Sequence, residues 1–481
     1  MNTKLLKQKI LDLAIRGKLT QQLKSDGTAA DLLRQISEQK RESSSTLSSP
    51  RRRGSPSAQS EKTIIPLDKS EAPFEIPANW EWVRLGDVCE LISGQDFPPE
   101  KYNAEKKGLP YITGASNFAN DHVILNRWTE YPSIIAQEGD ILLVCKGSGY
   151  GNYVYADFEK AHIARQIMAI RISDKTLRAY VYNFLGSQYE HLKFQGNGLV
   201  PGIARNVVLD LALPLPPLME QQRIVEKIQE AFAEIDSIEN NKELLKTHIK
   251  QARQKILDLA IHGKLVPQNK TDEPASVLLE RITRDNPHYE KLTDIPFEIP
   301  GSWAWVKLGD VCKPIKRGKS PKYIEQSNVL VFAQKCNQKD GPVSLEKALY
   351  LDESTLNKYP KEEFLQKGDV VINSTGTGTL GRVGYFNVDL PHNIKGIVPD
   401  SHVTTIRSVY VNPYYLYCFL KNKQTYLEEN GEGSTNQKEL KSHTIYDLEF
   451  PLPPLAEQKR IVDRIEEIFA SLDKISFHLI W

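Results

Sequence analysis

The sequence predicts an α+β protein in which two similar mixed α/β domains form a pseudo-two-fold internal repeat and are joined by a long antiparallel coiled-coil helical spacer. Three observations lead to this prediction. Long segments recur almost unchanged, one uninterrupted stretch carries a heptad pattern of apolar residues, and the divergent parts between the repeats keep strand-and-turn patterns.

Three segments of the 481-residue chain occur twice in the same order. The matching pairs, with their identical positions, are 7–19 with 253–265 (11 of 13), 74–89 with 297–312 (12 of 16) and 214–236 with 451–473 (15 of 23). The copies lie much farther apart than the roughly 20–50 residues of a solenoid repeat. A whole domain and a helix have therefore been duplicated.

The longest helix is expected between Glu220 and Ile261, because neither proline nor glycine interrupts this stretch. From Ile224 to Leu259 the seam positions alternate steps of four and three, which is the spacing of a coiled coil, and only Lys242 is polar. At about 1.5 Å per residue, the roughly 42 residues would form a rod of about 60 Å.

The C-terminal copy of this helix stops soon after Ile475, so the second half of its seam is missing. Residues 6–13 supply the missing pattern, because they match 252–259. We therefore expect two helical rods that pair antiparallel, with the chain termini close to each other.

Between the repeats, 138–149 and 367–378 share a Gly-Asp pair, a short apolar run and a glycine-rich turn. We interpret the divergent middles as two recognition surfaces of different specificity on one scaffold, because loops on rigid scaffolds commonly bind ligands. Drift of unimportant loops is the alternative.

Composition excludes several classes of protein. The net charge is only +1, from 62 basic and 61 acidic residues, so any positive field must be local. No apolar stretch of about 18 residues is long enough to span a membrane, and the charged N-terminus is unlike a signal peptide. Five scattered cysteines without a CxxC pair argue against a zinc site or a disulfide framework and favour the cytoplasm.

Motifs of common catalytic sites are missing. The sequence has no P-loop, no HExxH and no GxSxG. Residues 412–415, Asn-Pro-Tyr-Tyr, resemble the Asn-Pro-Pro-Tyr of amino-methyltransferases. We interpret them as a helix start with proline in its first turn, because the first copy has 177–180, Leu-Arg-Ala-Tyr, instead. Gly147, Gly149 and Gly151 are interpreted as a turn.

Two repeated motifs carry a family resemblance. Ile-Pro-x-x-Trp-x-Trp-Val-x-Leu-Gly-Asp-Val occurs at 76–88 and 299–311, and Pro-Leu-Pro-Pro-Leu-x-Glu-Gln-x-x-Ile-Val occurs at 214–225 and 451–462. With the helix ends, they cover almost the whole chain in order. The sequence resembles the specificity (S) subunit of type I restriction-modification systems. It departs from that pattern in its short C-terminus and in a Ser-rich insertion.

The resemblance implies that each target recognition domain reads one half of a bipartite double-stranded DNA target in the major groove. It implies that the helices set the gap between the halves and dock two modification subunits, which bind S-adenosylmethionine and methylate adenine. Two restriction subunits, which use ATP and Mg²⁺, can join them. It implies neither a cofactor nor a metal in this chain, and no catalytic residue.

The resemblance also names the parts of the chain. They are an N-terminal helical segment that completes the distal spacer (1–40), a Ser/Pro-rich linker (41–73), target recognition domain 1 (74–213), the central conserved spacer helix (214–269), a connector (270–296), target recognition domain 2 (297–450) and the C-terminal conserved spacer helix (451–481). Contact of Arg51–Arg53 with DNA phosphate is an alternative to a solvated linker.

Candidate DNA contacts are polar or basic residues near glycines in the divergent middles, because such side chains bind base edges and phosphates. In the first domain they are Gln95, Lys101, Lys146, Tyr150, Asn197 and Arg205. In the second domain they are Lys316, Arg317, Lys319, Thr375, Thr377, Arg382, Thr435, Gln437, Lys438 and Lys441. The tryptophans at 80, 82, 303 and 305 recur in both copies and are expected in the scaffold.

Two other functions stay open at this point. The Asn-Pro-Tyr-Tyr segment leaves a stand-alone DNA adenine methyltransferase as an alternative. The heptad seam leaves a coiled-coil assembly protein without DNA affinity.

Overall fold

The computed structural model describes residues 2–46, 64–68, 70–147, 149–195, 202–286, 289–292, 295–339, 342–376, 378–433 and 438–478. Arg51–Arg53 and most of the linker 41–73 lie outside the described residues. The chain divides into two compact units, Met1–Asn241 and Lys242–Trp481, and the division falls inside the longest helix.

The described helices are α1 Thr3–Ile15, α2 Ala29–Thr46, α3 Leu85–Val88, α4 Lys175–Ser187, α5 Tyr189–Gln195, α6 Arg205–Leu209, α7 Leu218–Ile261, α8 Ala275–Asp285, α9 Leu308–Val311, α10 Pro413–Asn422, α11 Gln424–Glu429, α12 Ser442–Tyr446 and α13 Leu455–His478. Short 3-10 helices occupy Lys24–Asp26, Pro99–Lys101, Ala115–Asn117, Gln334–Cys336, Glu353–Lys358 and Lys361–Glu363. Within the described part of the chain, none of the helices has the length and apolarity that crossing a membrane requires.

The strands of the first unit are β1 Glu81–Arg84, β2 Glu90–Ser93, β3 Leu109–Ile112, β4 Phe118–Ala119, β5 His122–Val123, β6 Trp128–Thr129, β7 Ile135–Gln137, β8 Ile141–Val144, β9 Tyr153–Tyr155, β10 Lys160–Ile163, β11 Ile167–Arg171 and β12 Ala212–Leu215. The strands of the second unit are β13 Ala304–Lys307, β14 Cys312–Arg317, β15 Tyr323–Ile324, β16 Val329–Phe332, β17 Leu349–Leu351, β18 Asp369–Asn373, β19 Val383–Phe386, β20 Gly396–Pro399, β21 Val403–Ser408 and β22 Glu449–Leu452.

The two units share a strand arrangement, which confirms the predicted repeat of mixed α/β domains. An antiparallel sheet has the order β2-β11-β8-β9 in the first unit and β14-β21-β18-β19 in the second. A second sheet has the order β6-β3-β10-β7 or β15-β17-β16-β20, and in each case it contains one parallel pair, β3 with β10 or β16 with β20. The strand before the divergent part pairs with the strand after it, β1 with β12 and β13 with β22.

Strand β8 is buried on both faces because it lies between a helix and the second sheet. Leu143 belongs to the same buried cluster as Phe184 of α4. Leu142, which points to the other face, belongs to a cluster with Ile112 of β3. This two-sided burial explains the continuous apolar run in the sequence, and β18 alternates in the same way.

The recurrent Gly-Asp pair closes one end of each antiparallel sheet. Asp140 lies at the start of β8 and accepts hydrogen bonds from Arg171 at the end of β11, with 2.7 Å between Nη2 and Oδ2. Asp369 and Arg407 make the equivalent pair, also at 2.7 Å. Both carboxylates are buried, so removing either arginine would leave an uncompensated charge.

Helices α1 and α7 pair antiparallel within the first unit. Lys7 forms an ion pair with Asp236. Farther along the chain, Gln22 Nε2 donates to Glu220 Oε1 at 3.0 Å. From the first contact to the second, the residue number rises from 7 to 22 in one segment and falls from 236 to 220 in the other, so the two segments run antiparallel.

Helices α7 and α13 pair in the same way within the second unit. Arg253 forms an ion pair with Asp473, and Gln268 Nε2 donates to Glu457 Oε1. These four residues occupy the same repeat positions as their counterparts in the first unit. The predicted antiparallel pairing of the repeated helices is confirmed inside each unit.

The prediction of an uninterrupted central helix is confirmed, and the middle of its seam forms a gap in the burial. Helix α7 has 44 residues. Ile235 and Ile249 are buried, whereas Ile238 is 50% exposed and Leu245 is 37% exposed. The partner helices explain the gap, because α1 begins opposite the 236–239 turn and α13 ends at His478.

Buried tryptophan–glutamate hydrogen bonds attach each long helix to its own unit. Trp80 Nε1 donates to Glu220 Oε2 at 2.9 Å, and Trp303 Nε1 donates to Glu457 Oε2 at 3.0 Å. Each glutamate lies in the first turn of its helix, where the helix dipole stabilises a negative charge. The tryptophans therefore belong to the scaffold.

Replacement of Trp80 by phenylalanine tests this attachment. W80F removes a hydrogen bond to a buried carboxylate, so the free energy of unfolding should fall by about 1.5–3 kcal/mol beyond the loss of ring contacts. W82F is the matched control, because the buried Trp82 Nε1 has no hydrogen-bond partner among the described residues. Urea unfolding followed by circular dichroism measures both, and equal losses would contradict the assignment.

Candidate nucleic-acid interface

Four chain segments meet at the end of the first unit's antiparallel sheet that lies away from the Asp140–Arg171 pair. Gly94 N donates to Ile167 O at 3.1 Å, so the loop after β2 lies beside the start of β11. Ile203 N donates to Cys145 O at 2.7 Å, so the segment before α6 lies against the turn after β8. Residues 94–97, 145–147, 149–152, 164–166 and 202–205 form what we call the loop end of the first unit.

The second unit repeats these main-chain contacts. Gly318 N donates to Val403 O at 2.9 Å, and Leu440 N donates to Ser374 O at 2.8 Å. Its loop end consists of residues 316–319, 374–376, 378–382, 400–402 and 438–441. Because Gly94 and Gly318 make the matching hydrogen bond, the residues that follow them, Gln95 and Lys319, occupy equivalent positions.

Each loop end contains a glycine at a position where the main chain of a neighbouring turn leaves no room for a side chain. A Cβ atom at Gly94 would lie 2.1 Å from Ala164 O, and one at Gly318 would lie 2.2 Å from Asp400 O. These distances are far below van der Waals contact, so another residue at either position would displace the loop.

Most candidates of the first unit lie at its loop end. Gln95, Lys146 and Arg205 are exposed there, and Arg205 Nη1 donates to Ser93 Oγ at 3.0 Å. Tyr150 is half-buried, and its hydroxyl donates to Lys193 O at 3.2 Å.

Two candidates of the first unit, Lys101 and Asn197, are not among the residues of its loop end. Lys101 borders the loop end, because its ammonium lies 5.9 Å from the ring centre of Phe97 and 5.7 Å from that of Tyr131. Asn197 lies outside the described residues.

Four basic candidates of the second unit share two carboxylates. Lys316 and Lys319 both contact Glu363, with 2.7 Å between Lys319 Nζ and Glu363 Oε2. Burial raises the pKa of Glu363, but hydrogen bonds from the two lysines outweigh burial and hold that pKa below its ordinary value. The carboxylate, whose side chain is only 9% exposed, is therefore ionised at neutral pH.

Glu439 has the same role for Arg317 and Lys441. Lys441 Nζ lies 3.2 Å from Glu439 Oε2, and Arg317 Nη1 contacts the other oxygen. The hydrogen bond from Lys441, together with the nearby Arg317 charge, lowers the pKa of Glu439. With four cations and two carboxylates, this cluster carries a local excess of positive charge within a nearly neutral chain.

The remaining candidates of the second unit differ in their exposure and in the hydrogen bonds that they make. Thr375 Oγ1 lies 2.5 Å from His402 Nδ1, and Lys438 is exposed. Arg382 donates to Asn337 O at 2.9 Å and to Gly378 O at 3.3 Å, so two of its N–H groups already brace the turn. Thr377, Thr435 and Gln437 lie outside the described residues.

The Asn-Pro-Tyr-Tyr segment is a helix cap, which confirms its interpretation as a helix start. Asn412 Oδ1 accepts hydrogen bonds from Tyr414 N at 2.9 Å and Tyr415 N at 3.2 Å, and Pro413 is the first residue of α10. Across the described ranges, no three His, Cys, Asp or Glu side chains are grouped to hold a metal ion. All five cysteines are buried and free.

Comparison with known proteins identifies the family. The family model described as "Type I restriction modification DNA specificity domain" matches residues 77–247 and 300–477. The chain belongs to this family. Its role as a DNA specificity subunit, expected from the repeated motifs, is thereby confirmed.

Relatives and solved structures agree with this assignment. The specificity subunit of the type I restriction enzyme EcoEI from Escherichia coli is 24% identical over 556 residues, which cover 99% of this chain and 90% of that protein. A chain in a structure on complex assembly and conformational transition of the type I R-M system has a TM-score of 0.57 at 20% identity, covering 85% of this chain and 94% of that one. The HsdS subunit from Thermoanaerobacter tengcongensis has a TM-score of 0.50 at 19% identity, with 84% and 94% covered.

Several residues of this specificity subunit that lie in a loop end or contact one were not predicted from the sequence. Glu363 and Glu439 lie far along the chain from the basic residues that they contact, so no local pattern reveals them. Arg165 contacts Asp96, with Nε 2.5 Å from Oδ2. A polar pair, Arg165 and Gln166, between two apolar strands was the available signal.

His162 is a further residue that the sequence did not single out. Its buried ring stacks on Phe97, with 4.2 Å between ring centres and 13° between planes. Its Nε2 lies 2.8 Å from Gln95 O, and its Nδ1 lies 3.2 Å from Ile134 N. A carbonyl oxygen only accepts and an amide N–H only donates, so the ring is neutral with its proton on Nε2.

Burial of His162 predicts a pH dependence of stability. Burial lowers the pKa of this imidazole, against the opposing effects of its hydrogen bonds and of Asp96. A folded-state pKa below the unfolded value of about 6.5 means that the contribution of His162 is complete above that pH and is lost as the pH falls below it. The Tm advantage of the wild type over H162Q should therefore shrink between about pH 7.5 and about pH 5.5.

Differential scanning fluorimetry at several pH values measures this advantage. H191Q is the control, because His191 is exposed on α5 and its replacement should leave the same pH dependence as the wild type. An advantage over H162Q that stays constant with pH would contradict a neutral imidazole with a lowered pKa at this position.

Proposed function

We propose that this chain selects the DNA target of a type I restriction-modification complex, with each unit reading one half of a bipartite double-stranded sequence through its loop end. This proposal rests on one observation. The two units build their loop ends with the same main-chain hydrogen bonds but fill them with different side chains. The same main-chain scaffold with different polar side chains suits two domains that read different half-site sequences.

The side chains at equivalent positions differ in the base edges that they match. Gln95 offers an amide, which pairs bidentately with adenine N6 and N7. Lys319 offers an ammonium, which pairs with guanine O6 and N7. The basic cluster of the second unit adds donors for phosphate oxygens, which give affinity and its dependence on salt.

We further propose that the paired helices set the gap between the half-sites and hold two modification subunits. At about 1.5 Å per residue, α7 is about 66 Å long, and its exposed middle presents Ile238, Leu244 and Leu245. Exposed apolar side chains grouped on one helix favour protein–protein contact. In this proposal two restriction subunits can join the assembly.

Catalysis is assigned to those partners, which would supply S-adenosylmethionine, ATP and Mg²⁺. The role of Asn412 as a helix cap removes the reason for a stand-alone methyltransferase. The recognition domains in this proposal are 74–213 and 297–450, and the complex would work in the cytoplasm.

Deletion of one heptad, 241–247, tests the spacing role. Seven residues are close to two helical turns, so the seam keeps its register while α7 shortens by about 10 Å. The deleted side chains are exposed or half-buried, which limits the loss of packing. The gap should shrink by a fixed step of at most about three base pairs, at about 3.4 Å each, with both half-sites unchanged.

Methylation-sensitive sequencing of a host that expresses the chain with its modification subunit measures target and gap together. Deletion of seven linker residues, 50–56, is the matched control and should leave the gap unchanged. The chain purified without its partner should transfer no methyl group to DNA. Altered half-sites at an unchanged gap, or methylation by the chain alone, would contradict the proposal.

Exchange of the equivalent readers tests which half-site each unit reads. Q95K should move one position of one half-site from adenine toward guanine, by about 1–3 kcal/mol of discrimination, and K319Q should do the reverse in the other half-site. Q137K is the control, because it adds the same charge to an exposed position at the other end of the first unit. A change in both half-sites from one substitution would contradict independent reading.

A further inference from the structure

We infer that His162 is a positioning residue for DNA reading by the first unit, because it fixes both the main chain and the side chain of Gln95. This inference rests on the proposed function, since it assigns a task to a residue behind the loop end. His162 itself is fully buried and does not reach the surface on which DNA would lie.

A closed ring of hydrogen bonds links His162 to Gln95. The imidazole Nε2 donates to Gln95 O at 2.8 Å, which fixes the main chain of the loop after β2. Its Nδ1 accepts from Ser133 N at 3.3 Å, which fixes the segment before β7. Ser133 Oγ donates in turn to Gln95 Oε1 at 3.2 Å, so the amide is held by the same segment.

Other contacts hold the loop in the same place. Gln95 N donates to Ile163 O at 2.9 Å, and Phe97 N donates to Tyr111 Oη at 3.1 Å. The Phe97 ring covers the imidazole face. The loop is therefore held by strands β3 and β10, and the His162 ring together with Ser133 Oγ joins it to the 133–134 segment.

The clamp leaves the reading atoms of Gln95 available. Its Oε1 has two lone pairs, and Ser133 uses one of them. Its Nε2 makes no hydrogen bond within the described part of the chain. The amide thus keeps one acceptor site and two donors for a base edge, in an orientation set before DNA arrives, which lowers the entropy cost of binding.

The second unit shows that the fold does not require histidine at this position. Val398 lies at the equivalent place in β20, which pairs with β16 as β10 pairs with β3. There the equivalent reader, Lys319, is held by Glu363 instead. The histidine at position 162 therefore positions the candidate reader of its own unit. Valine is the residue that the second unit carries at the equivalent position.

The test uses the chain reconstituted with its modification subunit and measures dissociation constants for duplexes that carry the full target or a single-base change in either half-site. H162V should lower discrimination in the half-site read by the first unit by about tenfold, because a reader without its clamp loses orientation. Discrimination in the other half-site should stay within about twofold, because separate sites are independent.

Two further variants separate positioning from stability. H162Q keeps a donor for Gln95 O and an acceptor for the 133–134 segment, so it should recover part of the discrimination. I141A removes a fully buried side chain at the start of β8, at the end of the sheet that lies away from the loop end. It should lower Tm without changing discrimination.

Each outcome has a defined meaning. If Q95A loses discrimination in its half-site and H162V keeps it, the positioning inference is wrong while the proposed function stands. If Q95A itself changes neither half-site, the assignment of Gln95 as a reader is wrong. If H162V weakens both half-sites equally, or I141A imitates it, the effect is general destabilisation and the inference is overturned.

Discussion

The loop ends depend on one kind of interaction, the main-chain hydrogen bond that ties the segment before the short helix to the turn after the central strand. In the first unit it runs from Ile203 N to Cys145 O, and in the second from Leu440 N to Ser374 O. Because both partners are peptide groups, the contact does not depend on which side chains flank it. The fold can therefore hold four chain segments together in both units while their sequences diverge, and this independence separates the stability of the domain from the choice of side chains at the loop end.

Each unit positions its candidate reader by a different chemistry. Gln95 is neutral and is held by a neutral imidazole, so salt should have little effect on its orientation. Lys319 is charged and is held by the carboxylate of Glu363, which also holds Lys316. A carboxylate that pairs two lysines keeps them close and cancels only part of their charge. Approach of a phosphate would compete with this carboxylate, so binding by the second unit includes the cost of weakening an existing ion pair.

The sequence predicted the large features because they recur or follow a period. The duplicated segments identified two equal domains, and the absence of proline and glycine predicted α7 to within two residues of its start. Local patterns also identified the Gly-Asp strand starts and the proline in the first turn of α10. The exposed middle of α7 was not predictable, because exposure depends on where the partner helices end.

The candidate site was predicted only in part, for a related reason. Glycine-bounded loops identified Gln95, Lys146 and Arg205, which the fold does bring to one loop end. Contacts such as Lys319 with Glu363 or His162 with Gln95 join residues that are distant along the chain, and no periodic sequence pattern predicts such contacts. The close approach of Gly94 to Ala164 O has one more consequence. This glycine tolerates no replacement, whereas the exposed residue that follows it can change at a cost of only about 0.5 kcal/mol in stability. Under mutational drift this glycine would stay the same while the residue that follows it varies, so new target preferences could arise without a change of fold.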